Sequence, residues 1–263
     1  AYEMCGRDGV QTCALPILHI VFKSYTGEYL HKYINRLRLE YAWGMLKSGN
    51  YTNEKIAEHI GFANVTAFYN AFKKHFGQTP AQSKQVPLPL RTTPSGPEHA
   101  FNLAYSIREI NEKPLLFLSH IGNYELANTF AFETATWDTL YEYAANHDLL
   151  PDEEEYWGIC YDDTLITHPD KCRFYACLTI NAPVKSHLTS RIKSMTLPRQ
   201  LYAVYCHKGK YTLLDTFYDA ILKNLPPNYL LGESFILERY LNSPTDTPAD
   251  ELLTEVWLPI KAI

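Results

Sequence analysis

The chain has 263 residues, enough for one large domain or two ordinary ones. With 46% hydrophobic and 20% charged residues and no apolar run approaching a membrane span, its composition excludes a disordered polymer and argues against a membrane-spanning protein. The net charge of −5 is unevenly spread: residues 18–85 carry nine Lys and Arg against four acids, a local +5, which leaves an acidic remainder.

Residues 1–17, AYEMCGRDGVQTCALPI, show neither helical nor strand periodicity, and GVQTCALPI reads like a translated sequencing-library adapter. They are set aside from fold reasoning, Cys5 and Cys13 with them. The start lacks the charged-then-apolar pattern of a secretory leader, and the six cysteines show no metal-binding spacing and no disulfide framework. A reducing cytoplasm is expected.

From Leu18 to Gln85 the chain reads as helices. Leu30, Ile34, Leu37, Tyr41 and Met45 recur every three or four residues and predict one apolar stripe on a long helix ending at Ser48-Gly49-Asn50. Thr52 is a good N-cap for a short helix over Asn53 to Ile60, with Glu54 in its first turn, broken at Gly61. A second helix from Asn64 to Phe76 stacks Phe68, Phe72 and Phe76 on its buried face and ends at Gly77 and Pro80. Two helices across a glycine turn, the second with basic residues, have the makings of a helix-turn-helix. Val65, Thr66, Tyr69 and Asn70 would enter the major groove, and Lys73 and Lys74 would meet phosphates. An ordinary antiparallel helix pair is the competing reading.

Four prolines in VPLPLRTTPSGP mark residues 86–98 as a linker. Beyond it, strands are predicted at 103–110, 115–121, 156–161, 173–180, 200–207, 234–241 and 252–260, and helices at 126–147 and 213–225. His120-Ile-Gly122-Asn-Tyr124 echoes as His207-Lys-Gly209-Lys-Tyr211, each at a strand end before an amphipathic helix. Gly158 and Gly232 then follow at matched points near the next strand. Two copies of a strand–helix–strand unit about a pseudo-two-fold, with a cleft between them, are expected. In the alternating strand 234–241, Glu238 shares a face with Ile236 and Tyr240. A carboxylate on an apolar, aromatic face is costly to bury unless it meets a cation. Tyr124, Trp157, Tyr161, Tyr175, Tyr205 and Tyr240 are candidates to line a pocket around it, by stacking and cation–π attraction. Asp162-Asp163 reads as a turn or cap, Asp152 to Glu155 as a solvated loop, and His120 and His207 as structural. No metal site, cofactor loop or nucleophile elbow is legible.

Ile56-Ala57, Ile60-Gly61-Phe62, Phe68 and Phe72 to Pro80 resemble the second helix-turn-helix of the AraC/XylS family. Phe22-Lys23, Thr26-Gly27, Tyr33-Ile34, Arg36-Leu37, Ala42 and Leu46 resemble the end of that family's first motif and its connecting helix. Most of the first motif is missing, and Asn70 stands where many relatives carry arginine. From 99 to 263 the chain resembles GyrI-like effector-binding domains, through Gly122-x-Tyr124, Trp137 and Leu140, Gly158 and Asp162-Asp163. Arg173-x-Tyr175-x-Cys177, Tyr202-Ala203-Val204, His207-x-Gly209, Glu238-x-Tyr240 and Glu255-Val-Trp-Leu-Pro259 extend the match. The resemblance implies an α+β chain: an all-α DNA-binding region, then a pseudo-two-fold domain with an antiparallel sheet and a cleft. It implies a non-enzymatic regulator with double-stranded DNA and a small effector, cationic or aromatic, as partners. Stand-alone relatives that hydrolyse reactive small molecules supply the alternative, with Glu238 as general base. A module that binds partner proteins is a third possibility.

Overall fold

The structure is a computed structural model describing residues 19–24, 26–49, 51–85, 101–124, 136–164, 166–184, 189, 191–232 and 234–263. The expected adapter-like start, the proline linker and the first half of the helix expected over 126–147 lie outside these residues. The chain divides into two compact units, residues 1–90 and 91–263.

In the first unit, residues 19–24 are helical, followed by α1 (Leu30–Ser48), α2 (Asn53–His59), α3 (Val65–Phe76) and α4 (Pro80–Gln85). The expected cap Thr52 forms, its Oγ1 accepting from Lys55 N at 3.3 Å; Asn64, expected as the first residue of the next helix, is instead its cap, Oδ1 accepting from Ala67 N at 2.8 Å. Gly61 (φ 76°) makes the turn between α2 and α3, and Gly77 (φ 73°) closes α3 in the left-handed region. Pro80 does more than stop α3, because it opens α4, where a missing N–H is tolerated.

The stripe on α1 is rotated from the expected one. Ile34 and Tyr41 are 40% and 44% exposed, while Leu39, Ala42, Trp43, Met45 and Leu46 are buried. The real stripe is interrupted in sequence by Arg36 and Glu40, which are buried because they neutralise each other. Arg36 reaches Glu28 at 2.8 Å and Glu40 at 3.0 Å. Trp43 stacks on Phe72 (5.7 Å between ring centres) and meets Phe76 at 4.5 Å, so α1 and α3 share an aromatic core with Ile56, Ile60 and Phe68.

The second unit contains, among the described residues, a nine-stranded sheet paired antiparallel throughout. Its elements are β1 (Tyr105–Ile110), β2 (Lys113–Ile121), α5 (Thr136–Asn146), β3 (Tyr156–Cys160), β4 (Arg173–Thr179), β5 (Lys193–Leu197), β6 (Gln200–Lys208), α6 (Leu214–Lys223), β7 (Tyr229–Leu231), β8 (Ile236–Tyr240) and β9 (Leu253–Ala262). The strand order is β1-β6-β9-β8-β3-β4-β2-β5, with β7 added to β9.

This order is a palindrome of two repeats: β1, β2, α5, β3, β4 and then β5, β6, α6, β8, β9. Each repeat has given its first strand to the other, since β1 pairs with β6 and β5 with β2. The unit is therefore strand–strand–helix–strand–strand, one strand longer at each end than the expected strand–helix–strand. The echoed histidines are equivalent in register, His120 opposite Phe174 and His207 opposite Thr254. The glycines after them also match, Gly122 N donating to Cys172 O and Gly209 N to Leu252 O, both at 2.9 Å. Gly158 and Gly232 are not equivalent: Gly158 lies inside β3, whereas Gly232 lies between β7 and β8.

Only two residues separate β1 from β2, a reach of about 10 Å. In a flat sheet those strands, six places apart, would be about 29 Å from each other. The sheet is therefore rolled. Its inner side holds Ile110, Leu115, Phe117, Trp157, Ile159, Leu197, Leu237 and Trp257, drawn from strands at both edges and the middle. On the outer side, α5 covers Leu116, Phe174 and Leu178, and α6 covers Ala203, Val256 and Leu258. Glu155 belongs to the inner side rather than to a solvated loop: it pairs with Lys113 and with Arg239 at 2.9 Å and accepts from Trp157 Nε1 at 3.2 Å. Asp162 is likewise more than a turn residue, because it holds Arg173 through both carboxylate oxygens at 2.8 and 2.6 Å.

Candidate functional sites

The first site is the helix-turn-helix. Phe68 and Phe72 anchor α3 in the core, so the opposite face is free to meet a groove. Thr66, Asn70, Lys73 and Lys74 are exposed, and Val65 is half-buried. Tyr69 is also half-buried, and its hydroxyl accepts from Asn53 Nδ2 at 2.5 Å, which ties α3 to the start of α2. Arg38, not singled out from the sequence, is exposed on α1 with its guanidinium 3.5 Å from Gly61 O at the turn.

The second site is built where the repeats meet. β3 and β8 pair with Gly158 opposite Glu238 and Tyr156 opposite Tyr240. Alternation sends Ile236, Glu238 and Tyr240 to the helix-covered side, as the strand pattern predicts. Glu238 is 3% exposed. Tyr240 Oη donates to its Oε2 at 2.6 Å, Tyr218 Oη to Oε1 at 2.9 Å, and the Cys160 thiol approaches Oε1 at 3.7 Å. All three donors are neutral. Burial raises the carboxyl above the ordinary glutamate range, against the downward pull of these three donors. Burial and the charge of Glu238 push the Tyr218 and Tyr240 phenols and the Cys160 thiol upward in turn.

The expected pocket residues separate by strand parity. Tyr124 lies beside this site: its hydroxyl donates to Arg173 O at 2.8 Å and accepts from Asp162 N at 2.9 Å. Tyr205 is on the same side of the sheet but packs under α6, donating to Asn224 O at 3.0 Å. Trp157, Tyr161 and Tyr175 point to the inner side and do not join Glu238. One residue of offset along a strand reverses the face, and aromatic type alone carries no parity. The sequence reading missed Tyr218, Tyr211 and Cys160. Tyr218 was legible as a tyrosine on the buried face of an amphipathic helix, with Leu214, Phe217 and Ile221. Tyr211 is the echo partner of Tyr124, and its ring lies 5.7 Å from that of Tyr240.

An open cleft of about 520 Å³ adjoins the site, lined by Trp137, Asp138 and Tyr141 of α5, Glu154 before β3, Tyr156 at its start, Tyr240 at the end of β8, and Leu241, Asn242, Ser243 and Thr245 after it. Trp137 packs edge-on against both Tyr156 (5.6 Å) and Tyr240 (5.8 Å). Tyr240 is thus shared: it lines the cleft and holds Glu238. No His, Cys, Asp and Glu group suited to a metal occurs among the described residues. Nor is any helix there long and apolar enough to cross a membrane.

A helix-turn-helix followed by a two-fold sheet domain with a carboxylate at its centre defines a two-part architecture of DNA-binding and small-molecule-binding modules. The chain belongs to the family described as GyrI-like small molecule binding domain, which matches residues 103–261, and it carries a helix-turn-helix domain of the AraC type at residues 17–85. The uncharacterized transcriptional regulatory protein YesN of Bacillus subtilis is 36% identical over 67 residues, 25% of this chain and 18% of YesN. The HTH-type transcriptional activator RhaS of Escherichia fergusonii is 35% identical over 72 residues, 27% of this chain and 26% of RhaS. The chain thus spans about a quarter or less of the length of these curated relatives. The fold is similar to that in a cryo-EM structure of an EcmrR–DNA complex: TM-score 0.51, 18% identity, 61% of this chain and 58% of that one.

Proposed function

We propose that the chain is a ligand-responsive transcriptional regulator, not an enzyme, that acts in the cytoplasm. Residues 18–85 bind double-stranded DNA through Val65, Thr66, Tyr69, Asn70, Lys73 and Lys74. Residues 99–263 sense a cationic, aromatic small molecule beside Glu238, and 86–98 link the two. The observation that carries the sensor half is Glu238 itself. A buried carboxylate held, among the described residues, by two phenols and a thiol is poorly compensated, and a cation entering beside it would supply the missing charge. Aromatic rings of Tyr240, Tyr211 and Trp137 stand around that position. Broad sensing of such cations is the physiological reading this supports.

The hydrolase alternative asks Glu238 to take a proton from water. Both of its oxygens already accept hydroxyl hydrogen bonds, which supports binding over turnover. The test is a panel of cationic aromatic compounds followed by thermal shift and product analysis, with Glu238→Gln as control. Stabilisation that depends on Glu238, without product, is the expected result, and product formation would overturn the reading. Retardation of operator DNA with and without the active compound tests the coupling between the two halves.

A further inference from the structure

Arg38 is a cation that the fold holds in place without neutralising. Among the described residues it forms no ion pair, whereas the other arginine of α1, Arg36, is locked between Glu28 and Glu40. The side chain of Arg38 is exposed, yet its guanidinium is seated: Nη1 lies 3.5 Å from Gly61 O, at the turn between α2 and α3. The seat depends on glycine. A Cβ at position 61 would fall 3.3 Å from Arg38 Nη2 and 3.4 Å from its Cζ, so a side chain there would press the guanidinium off the backbone. A single carbonyl occupies only one of the guanidinium's donors. The acids of α2 are also turned away from it. Helical spacing divides the exposed face of α2 into two flanks, Lys55 with His59 and Glu54 with Glu58. The His59 flank is the one on Arg38's side, because the His59 ring stacks on Tyr41 at 5.9 Å, one turn along α1 from Arg38.

Position gives this cation its partner. The first turn of α3 holds Val65 and Thr66, and the first turn of a recognition helix leads into the major groove. Gly61 precedes Val65 by four residues, a reach of at most about 14 Å. A major groove is about 12 Å wide and is bordered by phosphates on both sides. A guanidinium seated on this turn is therefore within about a groove's width of the helix that enters. We propose that Arg38 contacts a DNA phosphate at the N-terminal end of α3, opposite the end where Lys73 and Lys74 lie, so that the helix is gripped at both ends. This rests on the reading of α3 as the groove-entering helix and adds a residue of α1 to the DNA interface. A guanidinium placed before DNA arrives loses less freedom on binding than a mobile ammonium, and it offers a planar fork to the phosphate oxygens.

The experiment is fluorescence anisotropy of the full chain on a duplex of about 30 base pairs of arbitrary sequence, over a salt series, since phosphate contacts need no operator. The variants are Arg38→Gln, Arg38→Lys and Lys73→Ala/Lys74→Ala, each checked for folding by circular dichroism. Arg38→Gln is expected to lower the slope of log affinity against log salt by about 0.9, and affinity at about 0.1 M salt by about fivefold. Arg38→Lys should keep the slope, because the charge is kept, and lose about twofold in affinity with the planar fork. An unchanged slope in Arg38→Gln, while the double lysine variant lowers it, overturns the Arg38 contact and leaves the reading of α3 intact. Affinity lost in Arg38→Gln at constant slope would mean that Arg38 only braces the turn, and it overturns the contact equally. Arg38→Lys indistinguishable from the wild type would show that a mobile charge suffices and would overturn the seated fork. If no variant changes the slope, or the wild type does not bind the duplex, the groove-entering reading of α3 fails, and the Arg38 proposal fails with it.

Discussion

Gly158 and Glu238 face each other across the seam between the repeats, and they are the same position of the repeat, filled once by a hydrogen and once by a carboxylate. The asymmetry is enforced by space. A Cβ on Gly158 would fall 2.6 Å from Tyr240 Oη and 2.7 Å from a Phe174 ring carbon. One copy has therefore given up its side chain so that the hydroxyl holding the other copy's acid can sit above it. Cys160 and Tyr240 are related in the same way, so the two-fold frame surrounds a centre that is chemically one-sided.

Gly158→Ala should consequently disturb the site as well as the packing. Displacing Tyr240 and Phe174 is expected to destabilise the sheet domain by about 1–3 kcal/mol. It should also remove the Tyr240 hydrogen bond from Glu238. Chemical denaturation measures the first effect. Titration with a compound that the wild type binds measures the second, and unchanged affinity would show that Tyr240 does not position the acid.

Glu238→Gln should raise stability at neutral pH even though it weakens ligand binding. The folded carboxyl titrates above its unfolded value, so ionising it opposes folding. That penalty is fully present above the folded pKa. It shrinks as pH falls through that value and is gone below the ordinary glutamate range. The melting temperature of the variant should therefore exceed the wild type's at high pH and converge with it under acid. A constant gap across the range, or a gap of opposite sign, would contradict a strained buried charge.

Lys73 and Lys74 project from the exposed face of α3 near its C-terminal end. If both meet phosphates, Lys73→Ala/Lys74→Ala should lower the slope of log affinity against log salt by about 1.8 and weaken specific and non-specific DNA alike. Asn70→Ala should instead alter sequence preference while leaving the slope unchanged. Fluorescence anisotropy over a salt series distinguishes the two outcomes.

Asn64→Ala removes the side chain that caps α3 and should cost about 1 kcal/mol. Because Phe68 and Phe72 still anchor the helix, fraying should be confined to its first turn, where Val65 and Thr66 lie. DNA affinity should then fall by more than the loss of global stability explains, which hydrogen exchange at Ala67 N and Phe68 N can check.

Local chemistry was legible where a residue's own preference determines its place. The cap Thr52, the turn glycine Gly61, the echoed His-x-Gly motifs and the face of Glu238 could all be read this way. Long-range pairing could not. Lys193–Leu197 and Tyr229–Leu231 are strands only because β2 and β9 offer them an edge, and neither segment alternates clearly enough to announce itself. The face of α1 was misjudged because Arg36 and Glu40 look solvated until Glu28 completes their ion pairing. Trp157, Tyr161 and Tyr175 were grouped with Glu238 because composition reports aromatic content, whereas parity within each strand decides which side of a sheet a ring joins.

The exchange of first strands between the repeats also bears on how the domain is made. β1 must wait for β6, about a hundred residues later in the chain, before its ladder can form. Neither half can complete its own sheet, so expressing residues 101–184 or 191–263 alone would leave edges without their native partners and a tendency to associate. The domain should fold slowly and as one cooperative block, and a chain released before β9 is synthesised would still lack the strand that joins β6 to β8.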